Sequence, residues 1–444
     1  MAPADLQRRL ETAAAHERNG RTLKAESLYL SILEEAPRNV AALRRLAHFA
    51  LTRRDTPRAT ALLRLAIGTD PQNAQLEVDL AVAHMAVDEV AEATEVLQRT
   101  VEKAPSHFPA WLLLGEIRDS VGDRPGALRA WYQAVTRAQR AGQWIDQGST
   151  PPPLLESVIK AIERVRTGRR ELFQASYEDL RQTHGPQALK RVDRALSGYL
   201  REWDATPPDS RQRPKFFFFP DIPNQPYHDP FLQPWAKQLQ AAFPVIKGEA
   251  LELLREEKPF QNFIDFKEGD PIGEVLGGDA LDPTWEAFFF YRHGVRFDAN
   301  HQRCPKTSAV LDSIELCRVS EQAPEILFSV LRPKTHIMPH HGVTNTRLVM
   351  HLPLIVPEDC ALNLVDAGEH RWKEGELVMF DDTYSHEAWN RSNSTRIVVL
   401  MDCWNPYLTA VEKLAVKQLI ETISGLQFAN RSREARVPAG SAGA

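Results

Sequence analysis

Four histidines, His336, His340, His341 and His351, fall within sixteen positions of the segment FSVLRPKTHIMPHHGVTNTRLVMHLPL, in a chain of 444 residues with 14 histidines in all. Such clustering points to metal chemistry, because neutral imidazole is a good ligand for divalent first-row metals. A second segment, FDDTYSHEAWNRSNSTRIVVLMDCWNP, places His386 46 residues beyond His340. Two loops of this kind, from opposite edges of a small barrel, can face one site. Non-heme iron centres usually add a carboxylate two residues after the first histidine. Here that position is Gly342. His341, next to a candidate ligand, would point elsewhere and receives no role, and His336 reads as structural or substrate-facing. Asp381 and Asp382 precede His386 in a turn, where Asx-type bonding to the backbone is the ordinary use of such residues. One of them could instead accept the outer N–H of a metal-bound imidazole. Trp285, Trp389 and Trp404 read as core.

The elements around these residues are strand-like. Short runs rich in Val, Ile, Leu and Phe cover 325–331, 347–356, 362–365, 376–380 and 396–402, separated by turn signals such as AGE and KEG. They predict an antiparallel sandwich or barrel. Phe216 to Phe219 reads as a buried first strand, and 234–256 as a helix. A crowding of prolines in ATPPDSRQRPKFFFFPDIPNQPYHDPF marks a domain boundary near residue 205.

The first third is organised differently. Pro3, Pro37, Pro71 and Pro105 are each 34 residues apart, and so are Ala25, Ala59, Ala93 and Ala127. Tyr29, Leu63, Leu97 and Trp131 keep the same step, as do Leu46, Leu80 and Leu114. Each unit reads as two amphipathic helices with a small residue where they cross and a proline after the second. Residues after Gly142 leave the period at QGSTPPP, and helical stretches at about 154–167 and 169–203 are expected to cap the stack. The fold class expected is therefore α+β and multidomain. The divisions are an α-solenoid over 1–140, a helical cap or linker over 141–205, a β-rich domain over 206–425, and a disordered tail over 426–444.

Composition excludes several classes. A hydrophobic fraction of 43% and a charged fraction of 25% are those of a globular protein, and a net charge of −5 suggests neither nucleic acid nor an anionic membrane as partner. Four separated cysteines, Cys304, Cys317, Cys360 and Cys403, form no zinc ribbon or disulfide framework. The start MAPADLQRRLETAAAHERNG lacks an apolar core, and no stretch reaches the roughly 18 apolar residues of a membrane span. A cytoplasmic location is expected.

The repeats over 3–138 resemble the tetratricopeptide repeat, whose stacked units bind peptides or proteins on their concave side. From about 214 to 406 the chain resembles the aspartyl/asparaginyl β-hydroxylase family, in MPHHGVTNTRLVMHLPL, FDDTYSHEAWN and CWNP. Animal members also carry helical repeats before the catalytic domain. The resemblance implies a double-stranded β-helix (jelly-roll) oxygenase using Fe(II), 2-oxoglutarate and O2, in which the usual carboxylate ligand is missing, so Gly342 belongs to the pattern. It implies that His340 and His386 are the catalytic metal ligands, that Arg396 and Ser329 hold the far carboxylate of 2-oxoglutarate, and that His351 lies near the metal-bound carboxylate. Arginine suits that carboxylate because its planar fork binds it bidentately. One departure stands out: animal members have an arginine two residues before that last histidine, and this chain has Val349. Arg347 shares the strand face but lies one step of about 7 Å further off.

The implied reaction is hydroxylation of an unactivated C–H, at the β-carbon of an Asp or Asn residue in a peptide or protein that the repeats could present. Three alternatives stay open. These are a small molecule or lipid acyl chain as substrate, an iron halogenase with chloride in place of the acid, and an inactive repeat scaffold.

Overall fold

Eight helices follow the 34-residue period: α1 (Pro3–Arg18), α2 (Thr22–Glu35), α3 (Val40–Thr52), α4 (Thr56–Thr69), α5 (Ala74–Met85), α6 (Val90–Lys103), α7 (Phe108–Ser120) and α8 (Arg124–Arg140). The repeating columns have a steric cause. Ala25, Ala59, Ala93 and Ala127 are wholly buried, and Tyr29, Leu63, Leu97 and Trp131 fill the space beside them. Gly115 takes closeness furthest, since a Cβ there would lie 2.4 Å from the Trp131 ring. Caps recur as well: Asn39, Asp55 and Asp123 accept from backbone N–H groups in the first turns of α3, α4 and α8. These helices form tetratricopeptide-like hairpins. After them one helix, Leu155–Ala175, runs straight through the expected break near 168. The expected helix over 169–203 is instead broken: the first helix stops at Ala175, a short one runs Glu178–His184, and beyond Gly185, which turns to φ 80° ahead of Pro186, a third runs Lys190–Tyr199.

The computed structural model describes residues 3–267 and 270–427. It divides into two compact units, one built on the chain up to Glu171 and the other on Leu172–Gly425. Leu426 and Gln427 end a helix that starts at Ala410, and the rest of the expected tail lies outside the described residues. Among the described residues no helix is long and apolar enough to cross a membrane.

The second unit is rich in β structure. Its strands are β1 (Tyr227–His228), β2 (Gln261–Asn262), β3 (Leu276–Gly277), β4 (Trp285–Arg292), β5 (Val295–Arg296), β6 (Ile326–Leu331) and β7 (Thr335–His340). There follow β8 (Arg347–Ile355), β9 (Cys360–Leu364), β10 (Gly368–His370), β11 (Val378–Phe380), β12 (His386–Asn390) and β13 (Arg396–Trp404). One sheet runs β1-β11-β8-β13-β6-β4-β2 with β5 beside β4, and a second runs β10-β9-β12-β7-β3. Strand alternation sorts the side chains of the larger sheet. Leu348, Met350 and Leu352 of β8, with Ile397, Val399 and Met401 of β13, pack against the helices Ala236–Ala241, Phe243–Leu253 and Pro305–Asp312. Their neighbours Val349, Leu331 and Phe380 turn the other way, onto Ile337, Leu362 and Ala388 of the second sheet. The residues with chemistry share that inter-sheet face.

Phe216 to Phe219 is not a strand. Pro214 and Pro220 flank it, and only Phe217 bridges to another segment, at Thr344. Phe217 and Phe219 are buried nonetheless, and Asn345 holds the backbone of Phe219 from both sides, its Oδ1 accepting at 2.7 Å and its Nδ2 donating at 2.8 Å. The expected helix over 234–256 is two helices, Ala236–Ala241 and Phe243–Leu253.

Candidate active site

His340 ends β7 and His386 begins β12, and the two residues are direct partners in the antiparallel register. They lie not on loops but at the ends of adjacent strands. Beside them the register slips between His386 and Ala388, where Pro339 offers no N–H to the ladder. The ring centroids are 4.1 Å apart. Each ring is fixed by a backbone carbonyl: Nδ1 of His340 donates to Met338 O at 2.8 Å, and Nδ1 of His386 donates to Tyr384 O at 3.0 Å. A carbonyl only accepts, so both protons sit on Nδ1 and both Nε2 lone pairs are free. Burial, then the His340 ring, pushes His386 down to about 3, and burial lowers His340 as well, so both are neutral as metal ligation requires. Among the described residues no group of three or more His, Cys, Asp or Glu could hold a metal. The two histidines form the candidate pair.

Both histidines line a cavity of about 350 Å³ between the sheets. At one end Arg396, 2% exposed, donates through Nη1 to Ser329 O at 3.1 Å and Ser329 Oγ at 3.2 Å. Its guanidinium lies 4.8 Å from the Trp372 ring. Its Nε is buried without a partner, and no carboxylate pairs with it among the described residues. Burial lowers it to about 10, which leaves it charged at neutral pH. A buried cation without a counter-ion costs several kcal/mol, and an anionic ligand removes that cost. His351 has the same character: it is 5% exposed, both ring nitrogens lack a partner, and burial holds it well below its ordinary value.

Val349 faces this cavity as an apolar residue. Arg347 does not replace the missing arginine, because its Nη1 donates to Asp402 Oδ2 at 2.6 Å and to Gln322 O at 3.1 Å. Asp381 behaves as expected, accepting from Thr383 N at 2.9 Å and from Gln212 Nε2 at 2.7 Å. Asp382 does not. It lines the cavity, and burial followed by Asp381 pushes it up to about 8. A Cβ on Gly342 would fall 2.1 Å from the Asp382 Cγ, so this carboxyl fills the space where a third ligand side chain would start.

His341 turns away and donates Nδ1–H to Thr383 O at 2.9 Å. His336 pairs with Glu387 at 2.7 Å. Trp389 and Trp404 are buried, but Trp285 is a wall of the cavity. Its place, and those of Trp372 and Asp382, had no signal in the sequence, since each depends on a partner far away along the chain.

Residues 240–406 match the aspartyl/asparaginyl β-hydroxylase family, and 10–74 and 50–117 match the tetratricopeptide repeat. The chain carries an aspartyl/asparaginyl β-hydroxylase domain behind tetratricopeptide repeats. Among its relatives is the ornithine lipid ester-linked acyl 2-hydroxylase of Rhizobium tropici, 32% identical over 185 residues, covering 41% of this chain and 62% of that protein. Another is the mouse aspartate beta-hydroxylase domain-containing protein 2, 32% identical over 212 residues, covering 47% and 59%. Human aspartyl/asparaginyl beta-hydroxylase is 33% identical over 178 residues, covering 40% and 22%. The match thus spans about 60% of the length of the first two relatives and less of the third. The candidate site residues from Ser329 to Arg396 fall inside the matched hydroxylase segment.

Proposed function

We propose that the β-hydroxylase domain, placed at 206–425 within a double-stranded β-helix, is an Fe(II)- and 2-oxoglutarate-dependent dioxygenase. The observation that carries the reading is the pairing of two free Nε2 lone pairs with a buried, unpaired arginine in one cavity. His340 and His386 would hold the metal. Arg396 and Ser329 would bind the far carboxylate of 2-oxoglutarate, and His351 would face the carboxylate near the metal. When bound, iron with 2-oxoglutarate and O2 supplies C–H hydroxylation, giving succinate, carbon dioxide and the alcohol. The protein's own part is to keep both imidazoles neutral, orient the cosubstrate and exclude water with the apolar walls Phe263, Ile337, Val349 and Phe380. Chloride at the place of the missing acid, as a halogenase needs, would meet the Asp382 carboxyl instead. Four buried free cysteines suit a reducing, cytoplasmic setting.

Arg396→Met is the direct test of the cosubstrate site. Loss of a bidentate charge-assisted contact is expected to weaken 2-oxoglutarate at least about a hundredfold, with metal affinity retained. Calorimetry with the Mn(II)-loaded protein reads both, and unchanged 2-oxoglutarate affinity contradicts the assignment.

The family resemblance supports Asp or Asn residues of a polypeptide as substrate, presented by the repeats. The charge of the cavity favours a second reading, an uncharged carbon chain such as the acyl chain named for the Rhizobium tropici relative. Arg396 is the one lysine or arginine lining the cavity among the described residues, whereas Glu274, Glu325, Asp382, Glu387 and Asp402 all line it. Burial holds Asp382 and Glu325 toward their neutral acids and Arg347 pairs with Asp402, so an aspartate carboxylate would enter a carboxyl-lined cavity with no free cationic side chain to receive it. Matched Asp and Asn peptides and an acyl-chain lipid, each followed by succinate release and a mass gain of one oxygen, decide between the readings. The second expects the Asp peptide to be turned over at least about tenfold more slowly than the best uncharged substrate. Equal or faster turnover of the Asp peptide removes it.

A further inference from the structure

The four phenylalanines at 216–219 take no part in the metal chemistry, and only two of them belong to the core. Phe217 and Phe219 are 1% and 0% exposed, whereas Phe216 and Phe218 are half-buried. Those two rings line a cavity of about 460 Å³ that lies wholly within the second unit, between the end of the helix Lys190–Tyr199 and the segment 205–218. Its volume is within the roughly 300–1,000 Å³ of small-molecule sites. Tyr199 stands beside Phe216, with ring centroids 5.9 Å apart, and Pro207 and Pro214 complete an apolar wall. Large apolar side chains left side by side at a surface mark binding surfaces.

The polar side of the same cavity is cationic. Arg201 and Arg213 line it, and no Asp or Glu does so among the described residues. The neighbouring arginines are paired, Arg194 with Asp221 at 2.7 Å and Arg211 with Asp209 at 2.7 Å. Arg213 Nε donates to Ser210 O at 3.2 Å, and neither Arg201 nor Arg213 meets a carboxylate among the described residues. In a chain of net charge −5, two such guanidiniums together are an exception. A guanidinium fork fits the oxygens of a carboxylate or phosphate, and its plane lies well on an aromatic face. Both arginines are exposed, so charge alone contributes little and the aromatic wall has to add to it.

The floor of this cavity is the back of the two turns beside the histidines. Gln212, 1% exposed, lines the cavity and donates through Nε2 to Asp381 Oδ2 at 2.7 Å. Arg213 N donates to Thr383 O at 2.8 Å, Lys215 N to Gly342 O at 3.2 Å and Phe216 N to Val343 O at 2.9 Å. One segment thus lines the cavity with its side chains and holds both turns with its amides. We propose that the cavity is a second binding site, for a carboxylate or phosphate carried on a flat apolar body, and that filling it braces the segment behind the candidate metal site. The aromatic wall takes the ring, and the two guanidiniums take the anion. A ligand there stabilises the conformation in which 212–217 lies against the turns, because its contacts exist only in that conformation. The inference stands whether or not His340 and His386 bind iron.

Phenyl phosphate, benzoate and inorganic phosphate, titrated into the metal-free full chain and followed by NMR, test the site. The better of the two ring-bearing probes is expected to bind with a Kd of about 0.1–1 mM, and inorganic phosphate at least about fivefold more weakly, since only a ring can use Phe216 and Phe218. Which of phenyl phosphate and benzoate binds more tightly tells phosphate from carboxylate as the preferred group. The double variant Arg201→Gln, Arg213→Gln is expected to weaken the better probe at least about tenfold, and Phe218→Ala to bring it down to inorganic phosphate. Arg396→Met, the control for binding at the other cavity, is expected to leave its affinity unchanged. Hydrogen exchange reads the bracing in the wild type and needs no variant to fold. At a probe concentration of ten times Kd, the amides of Arg213, Lys215 and Phe216 are expected to exchange about tenfold more slowly, the factor 1 + [L]/Kd for a ligand that binds only the closed segment. No binding at about 10 mM, full affinity in the double arginine variant, or loss of binding in Arg396→Met overturns the proposal. So do unaltered exchange of the three amides and equal affinity for inorganic phosphate, which means an adventitious ion only.

Discussion

His386→Ala is expected to reduce metal affinity by well over about a hundredfold and to remove detectable turnover, since loss of a mere hydrogen-bond partner of a ligand already costs roughly ten- to a hundredfold. The reason for so large an effect is the sparseness of the site. Three protein ligands tolerate the loss of one better than two do, and here the pair His340 and His386 has no third side chain within ligand reach among the described residues. The rings are also preset, each with Nδ1–H on a carbonyl and Nε2 left over, so the wild type binds without reorganisation. His341→Ala is the matched control. It deletes an imidazole from the same segment, but one bonded to Thr383 O, and its metal affinity is expected to stay within about threefold of wild type. Metal content after dialysis and succinate release read both variants. A His386→Ala protein that keeps its iron contradicts the assignment.

Gly342→Ala is the second large effect, and it comes from one methyl group. The new Cβ would lie 2.1 Å from the Asp382 Cγ, far inside van der Waals contact. The backbone cannot easily move away, because Gly342 N donates to Asp382 O at 2.6 Å and Gly342 O accepts from Lys215 N at 3.2 Å. Asp382 must therefore leave its place at the cavity. A loss of turnover of about tenfold or more is expected, with a fall in stability of about 1–3 kcal/mol from the strain. Asp382→Ala opens the space, so the double variant is expected to be no less stable than Asp382→Ala alone. Gly342→Asp, which restores the usual ligand type, is expected to fail for the same steric reason. Thermal melts and turnover of the single and double variants test this, and an undisturbed Gly342→Ala protein contradicts it.

The repeats were legible because they need only local information. A 34-residue period places Ala25, Ala59, Ala93 and Ala127 where helices cross, and all four are buried there. The strands 347–356 and 396–402 were legible for a related reason, as runs buried on both faces carry apolar residues at nearly every position. β7 was hidden, since THIMPH contains a proline and two histidines and its residue types do not alternate apolar with polar, although the burial of its first four residues does alternate. With it went the true setting of His340, which is a strand end paired to His386 and not a loop. The four phenylalanines misled in the opposite sense: burial made them look like a strand, but prolines on both sides deny them a ladder. Asp382 was read as a turn former like Asp381, and only the empty side of Gly342, brought alongside by folding, explains why the two neighbours behave differently. Trp285 was read as core, because nothing in the chain signals a bond to a serine 44 positions away.

The most direct test of the two-histidine, one-arginine site is anaerobic titration of the wild-type protein with Fe(II) and 2-oxoglutarate, followed by the visible charge-transfer absorption of a chelated Fe(II)–2-oxoglutarate unit. The site as described here requires that absorption in the wild type, its loss in His386→Ala, and its appearance in Arg396→Met only at far higher 2-oxoglutarate. Absence of the band in wild type at saturating metal and cosubstrate, or an undiminished band in His386→Ala, would contradict it.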